Sequence, residues 1–108
     1  MKTVNELCRL GGVTRKTLYY YDKIDLLKPV CRSGKQHSKV YDDSAPDVLR
    51  QIKTYQSCGL TLSEIRTVLN RPEECRNILE QALKRLKSEE AEISRQILSL
   101  EQMLDENI

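Results

Sequence analysis

Two cations and two phenols lie within six residues near the amino terminus of this 108-residue chain. Arg15, Lys16, Tyr19 and Tyr20 belong to the stretch VTRKTLYYYDKIDLLKP, which holds three of the five tyrosines. Guanidinium and ammonium groups bind phosphate oxygens or guanine edges, and tyrosine hydroxyls donate hydrogen bonds to phosphates. These residue types at this spacing therefore indicate a surface that binds a nucleic acid.

A helix that begins after Thr14 would place the two cations and two phenols on one face. At 100° per residue, Leu18 and Tyr21 fall on the opposite side, which is apolar enough to pack on a preceding helix. A basic face near the start of a second helix is typical of a recognition helix in the DNA major groove. The alternative is that Tyr19 and Tyr20 pack against a neighbouring wing or a fourth helix.

The charge distribution agrees with a basic amino-terminal half. The formal net charge is only +2, but residues 1–41 carry nine Lys or Arg against three Asp or Glu. Residues 61–108 carry seven Lys or Arg against ten Asp or Glu, which suggests a polyanion-binding part followed by a part with another task.

No apolar run approaches the roughly 20 residues of a membrane span, and no secretory signal is visible. We expect a cytoplasmic protein with no membrane association.

Helix-capping patterns predict four helices before the last segment. TVNE and TLSE have the spacing of capping boxes, in which a threonine and a glutamate satisfy each other's backbone amides. Gly11-Gly12 ends the first helix and produces a helix-turn-helix with the second. Between the second and third helices, KPVCRSGKQHSKVYDD predicts two short strands around a basic tip, or else an irregular loop. The predicted helices are Val4–Leu10, Arg15–Lys23, Ala45–Ser57 and Leu62–Leu69.

The last segment, from Glu73 to Leu104, contains no glycine or proline. Its apolar residues recur at spacings of four and three, interrupted at Glu90, and form a heptad seam. The seam spans about 38 Å at 1.5 Å per residue, which is too long to bury against a small domain. Pairing with a second copy is the interpretation, and packing back on its own domain is the alternative. The expected dimerisation residues are Leu79, Leu83, Leu86, Ile93, Ile97, Leu100 and Leu104.

Three segments follow one another along the chain: VNELCRLGGVTRKTLYYYDKIDLLKP, a wing ending in Val40-Tyr41, and CGLTLSEIRTVL. Together they resemble the MerR family of bacterial transcription regulators. The resemblance covers residues 3–70. It implies a mainly α fold, with a winged helix-turn-helix head at 1–70 and a dimerisation helix at 71–108 that forms an antiparallel coiled coil. It also implies a homodimer on a pseudo-palindromic promoter, action by bending and untwisting double-stranded DNA, and RNA polymerase as a partner.

The expected DNA face combines the recognition helix, the capping residue before it and the wing. Its members are Thr14, Arg15, Lys16, Tyr19, Tyr20, Lys35, Lys39 and Tyr41. The sequence departs from the family at Tyr19, where an arginine is usual, and at His37-Ser38-Lys39, where Gly-Tyr-Arg is common. Lysine keeps the charge of the missing arginine but not its bidentate geometry.

Cysteine and histidine chemistry is sparse. The cysteines Cys8, Cys31, Cys58 and Cys75 form no C-x-x-C pair, and His37 is the only histidine. We therefore expect no metal site, no cofactor and no thiol enzyme, but reduced thiols that are mostly buried as small hydrophobes. Cys75 lies near the start of the long helix, where a thiolate can be favoured, so it is either a candidate thiol sensor or a thiol without regulatory role.

Two further alternatives concern the whole protein. A coiled-coil adaptor would use the seam to bind a different protein, but it would not need a basic recognition face or a basic wing. Family members usually carry a sensing segment after the long helix, whereas this sequence ends in DENI. It is therefore a naturally short regulator, a part of a longer one, or a protein that responds to a different signal.

Overall fold

The computed structural model describes residues 1–33 and 38–107, and these residues form a mainly helical fold with one small sheet. The predicted fold class is confirmed, and every helix end lies within two residues of its expected position. The long helix begins at Cys75 because the three residues before it form a 3-10 turn. The elements are β1 (Lys2–Thr3), α1 (Val4–Gly11), α2 (Arg15–Lys23), β2 (Cys31–Ser33), β3 (Ser38–Tyr41), α3 (Ala45–Ser57), α4 (Leu62–Asn70), the turn Pro72–Glu74 and α5 (Cys75–Glu106).

Both predicted capping boxes are present. The Thr3 hydroxyl accepts from the Glu6 amide at 3.1 Å, and the Glu6 carboxylate accepts from the Thr3 amide at 3.3 Å. The same pair of bonds joins Thr61 and Glu64 at 3.2 and 2.9 Å. These caps fix the first turns of α1 and α4, where backbone amides would otherwise lack partners.

The sheet contains one strand more than the sequence predicts. β3 lies in the centre and pairs antiparallel with β2, which forms the predicted wing, and with β1 on its other edge. The additional strand β1 has two residues, too few to show the alternation by which strands are recognised. Lys35 and His37 belong to residues 34–37, outside the described part of the chain.

The hydrophobic core lies between α1, α2, α3, α4 and the sheet. We call these elements together the head. Helix α1 approaches α3 so closely that a Cβ at Gly11 would overlap the Cδ1 atom of Leu49. Any side chain at position 11 would therefore require Leu49 to shift. The buried core residues are Leu7, Leu18, Tyr21, Leu26, Tyr41, Ala45, Leu49, Ile52, Leu60, Ile65, Val68 and, from α5, Ala82.

The long helix α5 packs on the head at its beginning and leaves its seam exposed. Ala82 is buried, and Cys75 and Ile78 pack against the core. All seven seam residues, by contrast, are between 40 and 67% exposed in the single chain. The seam therefore remains available for a partner, as a dimerisation surface requires.

The expectation that the cysteines are mostly buried is wrong for two of them. Cys31 and Cys58 are exposed, whereas Cys8 and Cys75 are half-buried. Cys31 lies on the edge strand β2, and Cys58 follows the last residue of α3, so neither position faces the core. Within residues 1–33 and 38–107, no group of three His, Cys, Asp or Glu side chains could hold a metal ion. None of the helices among the described residues combines the length and the apolar composition that a membrane span requires.

Candidate nucleic-acid interface

Helix α2 separates its side chains into an inner and an outer face, as the helical wheel predicts. Leu18 and Tyr21 are buried, and burial raises the pKa of the Tyr21 hydroxyl. Arg15 is exposed, and Tyr19 and Tyr20 are 44 and 51% exposed. Lys16 is exposed as well. The outer face therefore presents two cations and two phenols together to solvent.

The first turn of α2 is fixed from two sides. The Thr14 hydroxyl accepts from the Thr17 amide at 3.1 Å and lies 3.0 Å from the Thr17 hydroxyl, which replaces the glutamate of a capping box. The Arg15 guanidinium donates to the side-chain oxygen of Asn5 in α1. Because a guanidinium has five donor hydrogens, this bond orients Arg15 and leaves further donors for a ligand.

The wing is joined to α2 by an ionic contact and an aromatic contact. Lys39 Nζ donates to Asp22 Oδ2 at 3.2 Å and lies 4.3 Å from the centre of the Tyr19 ring. Lys28 Nζ is 3.4 Å from the other Asp22 oxygen and 2.8 Å from Asp25. Asp22 is buried, and a buried carboxylate is stable only with such partners. Lys39 is only 17% exposed, so its ammonium group holds the wing against the recognition helix.

Tyr19 and Lys39 are also positions at which the sequence departs from the family pattern, and here they contact each other. A cation over a tyrosine ring is attracted by the negative face of the ring, with about 0.5–1 kcal/mol at exposed sites. The two departures therefore form one contact between the wing and α2.

Tyr20 lies beside α4 while remaining half-exposed. A shallow cavity of about 180 Å³ is lined by Tyr20, Ile24, Leu62, Ser63 and Arg66. The Arg66 guanidinium donates to the Ile24 carbonyl at 3.2 Å, which joins α4 to the end of α2. Tyr20 thus lies beside the fourth helix, as the alternative states, and is still 51% exposed on the outer face of α2.

The expectation that Tyr41 lies on the DNA face is wrong. Its side chain is fully buried in the core. Strand alternation places Tyr41 on the same face of β3 as Lys39, and this face packs against the helices. A large apolar ring at that position fills the core, whereas the longer lysine side chain reaches out to Asp22.

Two residues of the arrangement were not identified from the sequence. Asp22 lies about 40° from Leu18 on the α2 wheel, so the inner-face position of an acid could have predicted a cationic partner. Arg85 of α5 binds Glu64 of α4, a contact between residues far apart in the chain that no local pattern indicates.

Cys75 lies close to the start of the long helix, as predicted; it is the first residue of α5 and lies beside Tyr55. Burial, followed by the contact with Cys75, raises the pKa of Tyr55. The fold does not bring Cys75 into a metal-binding group of described residues. Its role as a thiol sensor stays a prediction.

Comparison with known proteins agrees with the geometry of the head and of α5. Residues 2–72 match a family model described as MerR HTH family regulatory protein, and residues 47–106 match one described as MerR, DNA binding. The HTH-type transcriptional activator TipA of Streptomyces coelicolor is 39% identical over 70 residues, which cover 65% of this chain and 27% of TipA. The chain thus spans about a quarter of the length of TipA.

Two solved structures cover nearly the whole chain. The amino-terminal part of MtaN, the Bacillus subtilis multidrug transporter activator, is 25% identical with a TM-score of 0.83, over 96% of this chain and 98% of that chain. HiNmlR, a MerR family regulator lacking the sensor domain and bound to promoter DNA, is 26% identical with a TM-score of 0.59, over 94% of this chain and 86% of that chain. A family model matches residues 2–72, and the capped helices, the wing and the long helix follow in the order that the sequence resemblance predicts. The chain therefore belongs to the MerR family of helix-turn-helix regulatory proteins.

Proposed function

We propose that the chain is a sequence-specific transcription regulator that binds double-stranded promoter DNA in the cytoplasm. The observation that carries this proposal is the outer face of α2, which presents Arg15, Lys16, Tyr19 and Tyr20 beside a wing that Lys39 holds in place. Cations in the first turn of a recognition helix can reach base edges, and the phenols can donate to phosphates. The DNA-bound state of the related HiNmlR supports this assignment.

We propose further that residues 1–70 bind DNA and that residues 71–108 join two copies. The support is the seam of α5, whose apolar side chains remain exposed in the single chain. An exposed apolar stripe of this length is typical of a protein–protein interface. By resemblance to the family, the helices pair antiparallel, and the dimer binds a pseudo-palindromic site, bends and untwists the promoter, and thereby affects RNA polymerase.

Selection of genomic fragments by the purified protein, followed by footprinting, tests the function as a whole. One operator with two footprinted half-sites is expected, with affinity that falls steeply with salt because bound phosphates release counterions. No enrichment of any sequence would overturn the proposal and favour a coiled-coil adaptor instead.

A charge-matched pair of variants tests the assigned face. The double change Arg15→Ala and Lys16→Ala removes both cations of α2 and should weaken operator binding at least about ten-fold, with a smaller salt slope. The control, Arg76→Ala and Arg95→Ala, removes two cations whose ion pairs lie within α5. Equal loss of affinity in both double variants would contradict the assignment of the DNA face to α2.

A further inference from the structure

One guanidinium group adds directional hydrogen bonds to the apolar packing between α5 and the head. Arg85 Nη1 and Nη2 each donate to one oxygen of the Glu64 carboxylate, both at 3.1 Å. Nη2 also donates to the Gly59 carbonyl at 3.1 Å. The planar fork thereby binds the turn between α3 and α4 and the first turn of α4 at the same time. Three directional bonds to two points restrict rotation of α5 more than an unspecific apolar contact does.

The acceptor side of this junction is itself rigid. Glu64 is held by its capping box with Thr61, so the carboxylate is fixed relative to the axis of α4. The Arg85 guanidinium holds the pKa of Glu64 below its usual value, so the pair is ionised at neutral pH. Around it, Ala82 is buried, and Leu86 Cδ2 lies 3.6 Å from where a Cβ of Gly59 would be.

The position of Arg85 along α5 gives the junction its importance. The residues of α5 that pack on the core of the head, Cys75, Ile78 and Ala82, all precede Arg85. The exposed seam continues for about five turns beyond it, to Leu104. Arg85 therefore lies where the helix leaves the head and becomes free to pair with a second copy.

We infer that Arg85 is a positioning residue that fixes the angle between α5 and the head, and thereby the half-site separation that the dimer prefers. This inference rests on the proposed function, because a separation is defined only for a dimer on two half-sites. The short axes of the molecule measure 34 and 20 Å. A change of about 10° over a lever of about 20 Å would move the recognition helix by about 3.5 Å, which is one base-pair step.

The distinguishing prediction is an effect on spacing and not on the sequence of each half-site. Among the described residues, the hydrogen-bond partners of Arg85 lie in α4 and in the turn before it, and not in α2. Lysine at position 85 would keep the charge and the aliphatic stem but lose the bidentate fork, so the change Arg85→Lys loosens the angle specifically.

The experiment uses the full chain and the selected operator, rebuilt with its half-sites moved by −2 to +2 base pairs. Binding of each DNA by the wild type, Arg85→Lys, Glu64→Gln and Arg95→Ala is measured by fluorescence anisotropy. Arg95→Ala is the matched control, because it removes an ion pair with Glu92 on the same helix, at a distance from the head. For the wild type and the control, we expect affinity to fall about ten-fold for each base pair away from the optimum. For Arg85→Lys and Glu64→Gln, the fall should be less than about three-fold, or the optimum should move by one base pair.

The results that would overturn the inference can be distinguished from one another. If the Arg85 and Glu64 variants bind every spacing more weakly by the same factor, or with the wild-type profile, the inference is overturned. Loss of the helical circular dichroism signal in these variants would assign Arg85 to stability alone and would also overturn it. Absence of specific binding by the wild type would instead overturn the proposed function itself, and the inference would fall with it.

Discussion

Replacing two seam residues by acids should separate the proposed dimer. Ile93 and Ile97 lie one turn apart in the middle of the seam, and in the single chain they are 54 and 52% exposed. In a pair of helices, both side chains would insert between residues of the partner. The variant Ile93→Asp with Ile97→Asp replaces this apolar contact by four carboxylates per dimer.

The expected magnitude follows from the exposed fraction. Complete burial of an isoleucine side chain contributes about 1.5–3 kcal/mol, so burial of the exposed half contributes about 0.8–1.5 kcal/mol. Four such side chains per dimer then contribute about 3–6 kcal/mol to association. At about 1.4 kcal/mol per factor of ten, the dissociation constant should rise by about two to four orders of magnitude. Desolvation of the introduced carboxylates adds to this effect.

Sedimentation velocity over a concentration series measures the change directly. The wild type should sediment as a dimer at micromolar concentration and the variant as a folded monomer, and operator binding should be lost together with the dimer. Leu98→Asp is the control, because Leu98 is equally exposed but lies about 100° around the helix from Ile97. A monomeric wild type, or a variant that dimerises as strongly as the Leu98→Asp control, would refute the reasoning.

Three shorter predictions concern the head. Arg15→Ala should weaken operator binding and relax preference at one base position by about 1–3 kcal/mol, measured on a set of single-base operator changes; an unchanged preference would mean that Arg15 contacts only phosphate. Gly11→Ala should lower the free energy of unfolding by about 1–3 kcal/mol in urea, because the added methyl group overlaps Leu49; an unchanged midpoint would show that Leu49 can move aside. The lowered pKa of Glu64 means that its stabilising contribution is complete above its usual pKa of 4.5 and is lost as the pH falls through the lower value in the folded state. The difference in unfolding free energy between wild type and Glu64→Gln should therefore shrink between neutral pH and pH 3, and a pH-independent difference would contradict the Arg85 pairing.

Local rules predicted the helices, the two strands of the wing and the outer face of α2. The Thr3 and Thr61 capping boxes and the 100° periodicity of α2 depend on residues within one or two turns of each other, so the sequence alone specifies them. The exposed seam was predictable for the same reason, since its period continues through most of α5.

Contacts between distant segments could not be predicted in this way. The pairing of β1 with the wing and the junction of Arg85 with Glu64 each join residues separated by more than 20 positions. The burial of Tyr41 likewise depends on the assembly of the core and not on its neighbours in the chain. Asp22 combines both cases. Its place on the inner face of α2 could be predicted from the helical wheel, whereas its partner Lys39 could not. Such contacts are set by tertiary packing, which can override what the local pattern suggests.

The exposed phenols of α2 give the molecule an optical property. The chain has no tryptophan, so its intrinsic ultraviolet fluorescence comes from five tyrosines. Tyr21 and Tyr41 are buried, whereas Tyr19 and Tyr20 face solvent on the proposed DNA surface. Stacking or hydrogen bonding with a ligand would alter the emission of these two rings first. Tyrosine emission can therefore follow occupation of the α2 face in unlabelled protein, and Tyr19→Phe and Tyr20→Phe can assign the signal to one ring.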